Sequence, residues 1–310
     1  MTANSHAVDS VIKPFDPTTF WQQFHHASAA VNGTRYHYVA GGSGEPVLLI
    51  PGWPQSWYAW RYVMPLLVAA GRRVIAIDPR GMGDSAHPSG GYDMTTVAQD
   101  IHQLITLVAP GGVDVVGHDI GSWIGYALAC DWPQDVRRLA LFDAALPGIT
   151  PPAPAGIPTA EANVKSWHFA FNRLDDLPEL LISGRERAFL GWLFAAKASN
   201  NWAIDGADLD EYVRVNQLPG ALRAALSYYR TAFSPQGLAA SQQRAMQKLS
   251  QPVLACGAEQ GVGEALINTL RPLADAVQGQ LFAATGHYIP EEAPALLVQT
   301  LLDFYRHRAD

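Results

Sequence analysis

Apolar residues along this chain fall into short continuous runs separated by segments with helical spacing. "PVLLIPG" (46–52), "RRVIAIDPRG" (72–81), "VDVVGH" (113–118) and "VRRLALFDA" (136–144) each read as a strand buried on both faces. Between them, 55–71, 94–108 and 120–130 carry the three-to-four-residue spacing of helices. Residues 27–40 read as a hairpin, because Asn32-Gly33 supplies the backbone that a tight turn needs. Alternating buried strands and helices predict a parallel sheet covered by helices, an α/β fold.

The alternation then stops. Residues 145–158 are rich in Pro and Gly and read as a connector. From about 160 to 245 the text is helical and aromatic, with no strand-like run. The strand pattern resumes at 251–257 and 278–287, and a helix follows at 293–305. The expected organisation is a core over 1–148, a helical lid over 149–245 and the rest of the core over 246–310.

Composition narrows the class. Of 310 residues, 48% are hydrophobic and 16% charged, enough apolar material for a large core. The net charge of −7 without a basic run argues against nucleic acid. No apolar run approaches membrane-spanning length, so no membrane partner is expected. The N-terminus lacks the pattern of a secretory signal, which makes the cytoplasm the expected location. Cys130 and Cys256 show no metal spacing and read as buried thiols. No metal or other cofactor is expected. Oligomeric state stays open, with a homodimer as one candidate.

The chemistry centres on "GHDIG" (117–121), which has the form of the strand-to-helix elbow G-x-S-x-G with Asp119 in the serine position. The plain alternative is that Asp119 caps a helix. His287, in "ATGHYIP" after the last strand, is placed to act as a base. An acid should orient it. The usual position after "PVLACG" holds Gln260, with Glu259 one residue off. Asp143 is preferred, since it ends the run "LALF", and Glu259 is second.

In order along the chain, "PGWP" (51–54), "DPRGMGDS" (78–85), "GHDIG" and "TGHYIPEE" resemble the epoxide hydrolases of the α/β-hydrolase fold. Within them the chain looks most like the bacterial Cif-type subgroup, with a His and a Tyr in the lid. The resemblance implies a mostly parallel eight-stranded sheet with an inserted lid. It makes Asp119 the nucleophile, His287 the base and Asp143 the acid. His168 of "SWHFAFN" and Tyr229 of "LSYYRTAF" become the lid donors, with Tyr228 as the adjacent competitor. It also makes the backbone N–H groups of Trp53 and Ile120 the oxyanion hole. One departure is Pro51, where the family has His in His-Gly-x-Pro.

An Asp nucleophile suits attack at saturated carbon. Serine would leave an ether that water does not cleave, whereas Asp leaves a hydrolysable ester. The expected reactants are therefore a small neutral epoxide and water. A dehalogenase is the alternative. Haloalkane dehalogenases carry Trp after the nucleophile, where this chain has Ile120. Fluoroacetate-type enzymes carry Arg where this chain has Ile120 and Trp123. A non-catalytic binding protein of this fold is a third reading. The pocket wall is expected to be apolar, with Trp53, Trp123, Trp167, Phe169 and Phe171 as candidates.

Overall fold

The computed structural model describes residues 15–152 and 156–306. Residues 1–14, where no secretory signal was expected, and 153–155 of the connector lie outside the described residues.

The described chain starts with a helix that the apolar pattern did not reveal, α1 (Pro17–Gln23). Its signal is local: Asp16 accepts the Thr18 N–H, and Pro17 stands in the first turn. The hairpin follows as β1 (Phe24–Val31) and β2 (Thr34–Gly41), turning at Asn32 and Gly33 with φ of 47° and 69°. Next comes β3 (Glu45–Ile50).

The helix expected over 55–71 is two pieces, a 3₁₀ turn at Trp57–Trp60 and α2 (Val63–Ala69). Pro65 explains the break. It has no N–H to donate and is tolerated only in a first turn, so the helix starts just before it.

The core continues through β4 (Arg72–Ile77), α3 (Met94–Val108), β5 (Val113–His118), α4 (Ile120–Asp131) and β6 (Val136–Phe142). Six helices then intervene: α5 (Ala160–Phe171), α6 (Leu177–Ile182), α7 (Glu186–Lys197), α8 (Gly206–Asn216), α9 (Ala221–Ala232) and α10 (Pro235–Arg244). After them come β7 (Val253–Ala258), α11 (Ala265–Leu270), β8 (Val277–Phe282), α12 (Ile289–Glu292) and α13 (Pro294–Arg306).

The eight strands form one sheet in the order β1-β2-β4-β3-β5-β6-β7-β8. β2 pairs antiparallel with β1 and β4, and every other pair is parallel. Helices α3, α4 and α11 cover one face through Ile101, Ile124 and Leu266. Helices α1, α2 and α13 cover the other through Phe20, Leu67 and Leu301. With both faces covered, β3 to β7 must be apolar on both sides, which is why they read as unbroken runs.

This topology gathers five loops at the carboxyl ends of the parallel strands, where such sheets bind ligands. They carry Trp53 after β3, Asp119 after β5, Asp143 after β6, Glu259 after β7 and His287 after β8.

Candidate active site

Asp119 joins β5 to α4 with φ 54° and ψ −121°, a conformation costly for any residue but glycine. Its side chain caps nothing in the helix, so the plain reading as a cap does not hold. Neighbouring glycines make room for the strained turn. A Cβ on Gly117 would lie 2.3 Å from the Gly121 carbonyl oxygen, and one on Gly52 would lie 2.2 Å from the Asp119 Cβ.

The two carboxylate oxygens of Asp119 have different surroundings. Oδ1 accepts the Trp53 N–H at 3.1 Å, while Oδ2 lies 3.4 Å from His287 Nε2. Burial by itself would raise the Asp119 pKa. The hydrogen bond and charge of His287 outweigh burial, with help from His118 and Lys197, and hold the carboxyl well below its usual range.

His287 Nδ1–H donates to Asp143 Oδ2 at 2.7 Å. Asp143 is fully buried, and its Oδ1 accepts the N–H groups of Ala258 (2.8 Å) and Val262 (3.0 Å). Gly261 must be glycine for this approach, because a Cβ there would sit 2.2 Å from the Asp143 carboxylate. Glu259, the second choice, instead accepts the Ala284 N–H at 2.7 Å. Burial would lower the His287 pKa, but its bonds to Asp119 and Asp143 dominate and raise it. We therefore expect the Asp119→Asn chain to titrate His287 at lower pH than the wild type, followed by NMR of the imidazole. Equal midpoints would mean that Asp119 does not hold the proton there.

The loop with Pro51 in place of His is fastened by other groups. Gln55 N–H donates to Gly52 O at 2.8 Å, and the Asn216 amide of α8 donates to Pro54 O at 2.8 Å.

Of the two adjacent tyrosines, Tyr228 donates to Arg80 O at 2.8 Å and so is occupied. The Tyr229 ring packs edge-on against Trp53, Trp123 and His168, with centroids 5.5–5.9 Å apart. Burial and the Asp119 charge push the Tyr229 phenol well above its usual range. His168 is 2% exposed, and burial together with Lys197 lowers its pKa well below the usual value, so it is neutral.

A cavity of about 440 Å³ opens onto Asp119 and His287, with Trp123, His168 and Phe169 on its wall. Trp167 and Phe171, also expected on the wall, are not there. They pack on each other at 5.4 Å and on Phe189 inside the helical insertion. The Trp53 indole is likewise not on the wall; it packs on Tyr229 and Phe189. Nor is the wall wholly apolar: Lys197, Lys165 and Glu161 from the inserted helices, and Glu259, also line it.

Two residues escaped the sequence reading. His118 looked like the end of a strand, yet its Nε2–H donates to the His287 carbonyl at 2.7 Å. Burial and the nearby His287 lower its pKa to about 4, so it stays neutral and pins the His287 loop. Lys197 ends α7, where a cation is common for the helix dipole, and nothing in the pattern marked it as facing the cavity.

The α/β hydrolase fold family matches residues 45–294. The chain belongs to that family. It is 36% identical over 289 residues to the soluble epoxide hydrolase of Corynebacterium sp. (strain C12), covering 90% of this chain and 96% of that one. Among solved structures, Cfl2 of Burkholderia cenocepacia superposes with a TM-score of 0.87 at 42% identity, over 92% of this chain and 96% of the other. The epoxide hydrolase CorEH without ligand gives 0.83 at 34% identity, over 91% and 99%. Among the described residues, no helix is long and apolar enough to cross a membrane.

Proposed function

We infer that this member of the α/β hydrolase family is an epoxide hydrolase that forms an ester on Asp119. The arrangement of Asp119 carries the reading. One of its oxygens is held by a backbone N–H while the other faces the cavity and the His287–Asp143 pair.

Oδ2 attacks a ring carbon, the carbon–oxygen bond breaks, and the ring oxygen collects hydrogen bonds from the lid groups His168 and Tyr229. Oδ1 becomes the ester carbonyl oxygen, already on the Trp53 N–H. The Ile120 N–H, at the start of α4, is the second donor of the hole. Each such donor is worth roughly 3 kcal/mol to the oxyanion.

Alkylation also removes the negative charge of Asp119. The imidazole loses one of the two partners that raise its pKa, so His287 is in its unprotonated form and ready to accept a proton once the ester exists. Its free Nε2 takes a proton from water, whose oxygen adds to the ester carbonyl. Collapse releases the diol as its second oxygen takes that proton back, and Asp119 is left as the acid.

The test replaces His287 with Gln and adds styrene oxide. The expected result is a stable adduct of one substrate mass on Asp119, seen by peptide mass spectrometry, and a turnover loss of about 10²–10⁴-fold. If the wild type yields no diol from any of a panel of aromatic and aliphatic epoxides, the reading fails. Release of halide from an alkyl halide in place of diol would support the dehalogenase reading.

A cytoplasmic location is part of the proposal, supported by two thiols, Cys130 and Cys256, that are free.

A further inference from the structure

Ring opening places charge on the leaving oxygen, where the lid groups described so far can donate. His168 is neutral, and an imidazole without its second proton is a weak acid. The Tyr229 phenol is held well above its usual range. Both can donate hydrogen bonds to the leaving oxygen, and a group more acidic than either would add to them.

Lys197 stands next to His168. Its Nζ lies 3.3 Å from His168 Nε2, and the side chain lines the same cavity as Asp119. An oxygen that bonds to His168 Nε2 is therefore within reach of the ammonium. Among the described residues, Lys197 makes no ion pair, although acidic groups share the cavity. Its backbone is fixed to the base: Lys197 O accepts the His287 N–H at 2.9 Å. A Cβ on Gly286 would come within 2.5 Å of that same oxygen, so the two segments meet without space between them.

We propose that Lys197 is a further acid of ring opening, its ammonium placed beside His168 at the subsite of the leaving oxygen. The proposal deepens the epoxide hydrolase reading and rests on it. As the Asp119–carbon bond forms, the ring carbon–oxygen bond breaks and its electron pair goes to oxygen. That oxygen takes a proton from Nζ, leaving a neutral amine. After ester hydrolysis, the acid on Asp119 gives up its proton, and Lys197 is recharged through solvent. Epoxide and water then sum to the diol.

The electrostatics agree. Burial lowers the Lys197 pKa to about 8, against the pull of Asp119 and Asp143. The other charged or titratable groups around the cavity are Glu161, Lys165 and His168 on α5, Glu259 after β7, and His287. An acid near the working pH is the effective kind. Ring opening should therefore slow as pH rises through about 8, where the ammonium is lost.

The experiment measures single-turnover alkylation of Asp119 in the His287→Gln chain, with Lys197 intact or replaced by Met or Arg. The probes are neutral styrene oxide and anionic phenylglycidate. Lys197→Met should slow alkylation by both about 10²-fold and abolish the fall near pH 8. Lys197→Arg should recover part of the rate and move the fall to higher pH. Alkylation by styrene oxide at the parent rate in Lys197→Met overturns the proposal. So does a loss confined to phenylglycidate, which would make Lys197 a carboxylate subsite. Should the Met chain not fold, a parent rate that stays flat through pH 8 overturns it equally. If the parent chain forms no ester with either probe, the epoxide reading itself fails.

Discussion

Replacing Asp119 with Ala is expected to lower turnover by on the order of 10⁴–10⁶-fold, the scale seen when a covalent nucleophile is removed. Neither of the other acidic groups at the strand ends can take its place. Asp143 is fully buried and already accepts from His287, Ala258 and Val262. Glu259 is tied to the Ala284 N–H. The remaining route is direct attack by water, for which His287 Nε2 is positioned but no ester forms. The two single variants should therefore differ in kind: His287→Gln accumulates an adduct, and Asp119→Ala gives none. Since Ala at φ 54° keeps the strain that Asp already bears, the fold should survive, which circular dichroism can check. Retention of more than about one hundredth of the activity in Asp119→Ala would contradict the nucleophile assignment.

The second large effect concerns stability. Arg61 is 1% exposed and joins three parts of the molecule. It pairs with Glu291 of α12, with Asp208 of α8 at 2.7 Å, and donates to Tyr58 O at 3.1 Å. Tyr212 OH donates to Glu291 at 2.9 Å, and Gln55 also donates to Glu291. Removing the one cation leaves two buried carboxylates short of a partner, which costs about 3–5 kcal/mol. Arg61→Met should lose that much in chemical denaturation, and adding Glu291→Gln should restore part of it.

The loss should also depend on pH. Burial, outweighing the attraction of Arg61, lifts the Glu291 carboxyl to about 7. A carboxyl raised in the folded state favours folding at low pH, and that contribution fades as pH rises from its ordinary value through about 7. Without Arg61 it rises further, so the variant should lose more at pH 8 than at pH 5. A cost under about 1 kcal/mol at both values would mean that the cluster is wet and the pairs are screened.

These two sites show what the sequence makes legible. Strands such as "PVLLI" and "VDVV" stand out because both of their faces are buried. Asp119 stands out because only a few residue types fit an elbow between two glycines. The Arg61 cluster is invisible for a physical reason. Charged residues look solvent-exposed in any apolar pattern, and these become buried only by meeting partners far along the chain, such as Gln55 and Glu291 at a separation of 236 residues. Lys197 was missed in the same way. Trp167 and Phe171 failed in the opposite direction: their neighbour His168 does face the cavity, but they lie on other sides of the same helix and pack within the insertion.

The glycines of the elbow bear on how the protein can be redesigned. Side chains at 52, 117 or 121 would meet Asp119, the Gly121 carbonyl or the Ile50 carbonyl at 2.1–2.3 Å. A directed-evolution library gains nothing by varying these positions, since every non-glycine codon there displaces the backbone that aims the carboxylate. The freedom to take new substrates lies across the cavity, at positions of α5 and α7 other than His168 and Lys197, where side chains can change size without moving residue 119. The aim of the nucleophile and the size of the pocket are in this way encoded in separate stretches of the gene.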